Sequence, residues 1–185
     1  MNREKQIKEY FKSFRYRWLS EKIREYKDYN IQGLSEEIEK LLSDLTEEKQ
    51  VYKLKYLTLF FLNTSLYTKS YKCMIYASDE GLYIDKPLGI GYWIPDFMKK
   101  DSYKIREEMM KGIGKLLLSE SEIEEGIRFV LKEYEDIIVI LWKKALESVI
   151  DTDIFKDTSK DTSKELSFLF GEYMGELKQV NLNMH

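Results

Sequence analysis

The stretch YKCMIYASDEGLYIDKPLGIGYWIP, residues 71–95, breaks the pattern of the chain on either side of it. It holds both prolines of the protein and three of its nine glycines. Its first part, YKCMIYA (71–77), is rich in residues that favour a pleated, half-buried strand. SDEG (78–81) is a turn tetrad, and LYID (82–85) is strand-like again. Asp79 and Glu80 suit the centre of a type I turn, and Gly81 suits the left-handed position that follows it in a bulged hairpin. The spacing predicts a β-hairpin over about 71–86, pairing 71–77 with 82–85; the competing reading is a helix that continues to Ser78. Pro87 ends the hairpin, LGIGYWIP (88–95) reads as a loop or short extended piece, and Pro95 leads into the next helix. A two-stranded hairpin is marginal in water, so this one must lie on helices or pair with another chain.

Toward the N-terminus the period is helical. Ile7, Phe11, Phe14, Trp18 and, less regularly, Ile23 and Tyr26 form an apolar stripe over 3–29, with Asn30 and Gly33 as stop signals. Ser35 is placed to cap a short helix that buries Ile38, Leu41, Leu42 and Leu45. Thr46 looks like a further start, with Val51, Leu54, Leu57, Phe60 and Phe61 continuing a helical stripe to a break near 63–70.

Toward the C-terminus the helical period resumes at Asp96 with Phe97, Met98, Ile105 and Met109. Two overlapping capping boxes, Ser119 with Glu122 and Ser121 with Glu124, open the clearest helix, expected to run over about 122–149. DTSKDTSK (157–164) repeats a tetrapeptide and reads as an exposed loop. A capping box of Thr162 and Glu165 then starts a last helix through Leu166, Leu169, Phe170, Tyr173 and Leu177. The fold expected is mainly α. About six helices form a single bundle-like domain over 1–185 with one β-hairpin, and sub-lobes 1–70 and 96–180 are joined by 71–95.

Composition narrows the function classes. Hydrophobic residues at 43% and charged residues at 34% belong to a globular chain. Lysine outnumbers arginine 24 to 6, a bias that fits an AT-rich bacterial genome. The longest apolar runs, 56–62 and 137–142, are far short of the roughly 20 residues of a membrane span. The charged N-terminus has no signal-peptide core and Cys73 is the single cysteine, so a reducing, cytoplasmic location is expected. Net charge is −3, yet residues 1–32 carry +4 and residues 119–154 carry −6.

Most chemistries then fall away. His185 is the only histidine and stands at the chain end, which excludes a zinc site or a His-based nucleophile dyad from one chain. Residues 151–162 resemble a calcium loop in acid spacing alone, since Phe155, Lys156 and Thr162 occupy positions that need oxygen ligands or glycine. GIGYWI (89–94) lacks the third glycine and a helix start after it, and GIGKLL (112–117) lacks the Gly-x-x-x-x-Gly-Lys-Ser/Thr spacing of a phosphate loop and reads as close helix packing. Cys73 reads as a buried structural thiol. KEYFKSFRYRW (8–18) interleaves cations with rings, but Phe11, Phe14 and Trp18 share one helical face, so nucleic acid is not the expected partner.

No cofactor is expected. Tyr76, Tyr83, Tyr92 and Trp93 are the candidate interaction surface, being the amphipathic rings that dominate interface hot spots. Asp79, Glu80, Asp85 and Asp96 are the candidate acids of a Tyr/Trp-lined pocket. The first set implies a non-catalytic protein–protein interaction or regulatory protein, binding another protein or its own copy. The second implies a small-molecule-binding protein or an unusual enzyme.

Overall fold

In the structure, a computed structural model describing residues 2–111, 117–156 and 166–182, a mixed five-stranded sheet organises the chain. The expected bundle with one hairpin is therefore corrected. The order is α1 (Arg3–Tyr26), α2 (Gln32–Glu47), a 3-10 turn (Val51–Lys53), β1 (Tyr56–Phe61), α3 (Asn63–Tyr67), β2 (Cys73–Ser78) and β3 (Gly89–Trp93). It continues with α4 (Asp96–Met110), α5 (Glu120–Lys132), α6 (Glu135–Ile150), β4 (Ser167–Glu172) and β5 (Leu177–Gln179). The strands lie in the order β3-β2-β1-β4-β5. β1 and β4 are parallel, and the other neighbours are antiparallel.

Each departure from the expected elements has a physical reason. Residues 56–61 match a helical stripe because Leu57 to Phe61 are all buried. A central strand covered on both faces loses its alternation and becomes a continuous apolar run. β2 forms where a strand was expected, but its partner is not 82–85. It pairs with β3, Cys73 opposite Trp93 and Ala77 opposite Gly89. The apparent loop 88–95 thus contains an edge strand whose glycines admit α2. A Cβ on Gly89 would stand 2.6 Å from Leu41 Cδ1. Leu82, at φ 50°, takes the left-handed position expected of Gly81.

The expected last helix is the antiparallel pair β4–β5. Phe168 and Phe170 alternate toward the core, and a Cβ on Gly171 would lie 2.2 Å from the Glu176 carbonyl oxygen. The long helix at 122–149 divides into α5 and α6 at Tyr134, and Ser119, not Ser121, closes the capping box with Glu122. α2 starts ahead of Ser35, and Thr46 ends it, its Oγ1 donating to the Leu42 carbonyl. The polar repeat, the Thr162 box, most of GIGKLL, the second half of the calcium-like segment and His185 lie outside the described residues.

Helices cover one face of the sheet. α2 lies on β3; on α6, Trp142 Nε1 donates to the Leu169 carbonyl of β4 at 3.1 Å. α1 buries Ile7, Phe11, Phe14, Trp18 and Tyr26, close to the expected stripe, but Lys22 replaces Ile23 at a buried position. The lysine is there for a carboxylate. Asp101 of α4 is fully buried, and its Oδ2 accepts from the hydroxyls of Tyr26 and Tyr134, each at 2.6 Å. Lys22 Nζ lies 3.0 Å from Asp101 Oδ1 and 2.5 Å from Glu25. Trp18 Nε1 donates to the Tyr134 hydroxyl at 2.9 Å. Burial first, then the Asp101 carboxylate, pushes both tyrosine hydroxyls well above their ordinary values.

Breaking a buried pair strands the remaining charge and costs about 3–5 kcal/mol, more than the pair's net contribution. Asp101→Ala is expected to lose about that much in urea unfolding, while a loss below about 1 kcal/mol would refute the role given to the network. A second outcome concerns pH. Arg3 foremost, then the Ser119 backbone N–H, holds the partly buried Glu122 carboxyl down to about 2. Its contribution to the α5 cap is thus present above the ordinary carboxylate value and fades as pH falls toward about 2. An NMR titration of the Glu122 carboxyl carbon is expected to have a midpoint below those of the exposed glutamates.

Candidate functional site

The face of the sheet turned away from the helices has only a thin cover. Side chains of β1, β2 and β3 alternate, so Thr58, Tyr76 and Ile90 share one row and Phe60, Met74 and Tyr92 the next. Phe60, Met74 and Tyr76 form a small second core, sealed by Tyr83 from the β2–β3 connection and by Leu62 and Leu177. Phe60 meets the rings of Tyr76, Tyr83 and Tyr173 at centroid distances of 5.6, 5.7 and 5.3 Å. Beyond that cluster the apolar surface is open. Ile84 is 91% exposed and Met174 68%, while Ile90, Tyr92 and Tyr173 are about half exposed.

The four candidate rings therefore divide. Tyr76 and Tyr83 are brought together; Tyr76 is buried and its hydroxyl donates to the Leu82 carbonyl at 3.2 Å. Tyr92 lies on the same face and is exposed, with Lys72 Nζ 5.5 Å from its ring centre. Trp93 points the other way, into the main core, 6.4 Å from the ring of Phe97. Sequence reasoning misses Ile90 because 88–95 reads as a loop or short extended piece; β3 follows the extended alternative, and the alternation of glycine with Ile90 and Tyr92 is the available signal.

Three of the four candidate acids also meet. Asp79, Glu80 and Asp85 line a shallow cleft of about 360 Å³ with Tyr52, Lys53, Leu54 and Gly81. Asp79 Oδ1 accepts from the Gly81 N–H at 2.9 Å, and Glu80 lies 3.4 Å from Lys55 Nζ, so two of the three already serve the turn or a lysine. Asp96 is elsewhere, in the first turn of α4, where a carboxylate suits the helix N-terminus. No cluster of three metal-ligating side chains occurs among the described residues, nor does any helix long and apolar enough to cross a membrane. Phe11, Phe14 and Trp18 of the basic first helix are buried.

β3 is the sheet's outermost strand, hydrogen-bonded to β2 alone. Edge strands are commonly guarded by charges, proline or bulges. β5, at the opposite edge, carries Lys178, whereas GIGYW carries no charge, and its flanking prolines lie outside the strand. Comparison with known proteins finds no similarity: no protein-family model matches this chain, and neither does any curated protein or solved structure.

Cys73 of β2 is fully buried, and burial pushes its thiol well above the ordinary value. Iodoacetamide is expected to leave it unmodified in the native protein under conditions that label it fully in denaturant. Stoichiometric labelling of the native protein would contradict the packing described for β2.

Proposed function

We propose that this is a non-catalytic interaction protein whose partner is a second copy of itself, joined edge to edge through β3. The observation that carries this reading is an uncharged edge strand bordered by the exposed side chains of Ile90 and Tyr92. An antiparallel pairing of β3 with its own copy, centred on Gly91, sets Ile90 opposite Tyr92 of the second chain, and Tyr92 opposite Ile90. A twofold contact must be self-complementary in this way. Aromatic and β-branched side chains are among the favourable cross-strand pairs. Such a pairing would extend the thinly covered face into one continuous surface, with Ile84, Tyr173 and Met174 at its borders available to a further partner.

A second reading keeps the acidic cleft as a small-molecule site, because Asp79, Glu80 and Asp85 do line a single hollow. Native mass spectrometry and sedimentation velocity on the full chain separate the two. A dimer that Ile90→Lys converts to a folded monomer, with an unchanged circular dichroism spectrum, is the expected result. A monomer at every concentration up to the high micromolar range would reject self-pairing. A monomer carrying a small-molecule adduct that Asp85→Asn removes would favour the cleft.

A further inference from the structure

A second hollow, of about 130 Å³, lies between α4, α5 and the turn that joins α3 to β2. We infer that it is a binding site for a small phosphate-bearing anion, either free phosphate or a phosphomonoester.

The argument begins with α4. Its buried face is Phe97, Met98, Asp101, Ile105 and Met109, with Ser102 buried at its margin. Lys99, Ser102, Tyr103 and Arg106 form a separate stripe at i, i+3, i+4 and i+7, and all four line the hollow. Lys69 comes to it from the opposite side, so three cations surround the space. Glu124 is the one carboxylate in the lining; it pairs with both Lys69 and Arg106, and Arg106 also reaches Glu120 outside it. Lys99 pairs with no carboxylate among the described residues, and the Ser102 hydroxyl, turned back to the Lys99 carbonyl at 2.7 Å, closes the floor. Tyr103 is 59% exposed at the rim, where a ring can meet the remainder of a ligand.

The turn that delivers Lys69 is the end of α3, where a left-handed residue past the C-cap is an ordinary way to stop a helix. Lys69 has φ 56° and Tyr71 φ 51°, both left-handed and neither glycine. The N–H groups of Ser70 and Tyr71 both donate to the Ser65 carbonyl, which fixes the turn with Lys69 and Tyr71 at the hollow. Size then restricts the ligand. The space measures about 130 Å³. That is too small for a drug-sized molecule, for which pockets run to about 300–1,000 Å³. It suits a single compact anionic group, which Lys99 can meet directly and which Lys69 and Arg106 can reach by exchanging a carboxylate partner.

The competing explanation is an ion-pair cluster that only ties the turn to α4 and α5. NMR titration of the full chain with inorganic phosphate and with phenyl phosphate distinguishes them. Saturable shifts confined to residues 69–72, 99–106 and 124–127 are expected, and Lys99→Ala is expected to weaken binding on the order of tenfold without changing Tm. Glu124→Gln removes the competing negative charge and is expected to tighten binding. A purely structural cluster has no reason to behave so. If Glu124→Gln does not fold, Lys99→Ala alone decides. Tighter binding of phenyl phosphate assigns the site to a monoester held partly by Tyr103, and equal binding assigns it to the free ion. Absence of saturable shifts at millimolar phosphate, or identical binding by Lys99→Ala, overturns the inference.

Discussion

The parallel pairing of β1 with β4 is the constraint on which the rest of the structure depends. Tyr56 stands beside Ser167 and Phe61 beside Glu172, more than a hundred residues apart in sequence. Parallel neighbours cannot be joined by a tight turn; the chain must cross over and return. Here the crossover carries α3, β2, β3 and α4 to α6. Once β4 is seated, α6 lies across it through Trp142, and β1 becomes the middle of five strands. That central position explains why its apolar residues run without a break.

A sheet with helices on one face leaves the other to be managed. This chain manages only part of it. The β2–β3 connection folds Tyr83 over Phe60 and Tyr76, and Tyr173 in the β4–β5 turn stands at right angles to both Phe60 and Tyr83. The rings bury one another without a helix. Toward β3 this cover ends at Ile90 and Tyr92, and there the proposed self-pairing would continue it. The two acids that looked free in the sequence, Asp79 and Glu80, are occupied in shaping and anchoring the connection.

On the helical side, Asp101, Lys22, Tyr26, Tyr134 and Trp18 tie three helices through buried hydrogen bonds and an ion pair. Hydrophobic packing tolerates sliding and small rotations, but this set of partners is satisfied in one arrangement only. It also accounts for the division between α5 and α6. Tyr134 lies at the junction, and its hydroxyl reaches Asp101 there. α4 is thereby oriented with its apolar side inward, which leaves Lys99, Tyr103 and Arg106 facing α5 and the α3–β2 turn.

What the sequence determined by itself is what local periodicity and capping can encode. The buried stripe of α1, the apolar face of α2 and the start of α5 at a serine–glutamate box are all legible there, as is β2 as a strand. The joining of Asp79, Glu80 and Asp85 followed from their nearness in the chain. Tertiary structure alone decided the rest, because the deciding contacts are distant in sequence. A central strand and a buried helix both appear as apolar runs, and only pairing with β4 distinguishes them. Gly89 and Gly91 are suited to a loop or an extended edge until α2 is seen lying on them, and no local signal sets Asp101 apart from the other acids of the chain. The partition of Tyr92 from Trp93 likewise arises from strand alternation, which sends adjacent rings to opposite faces once 89–93 is paired.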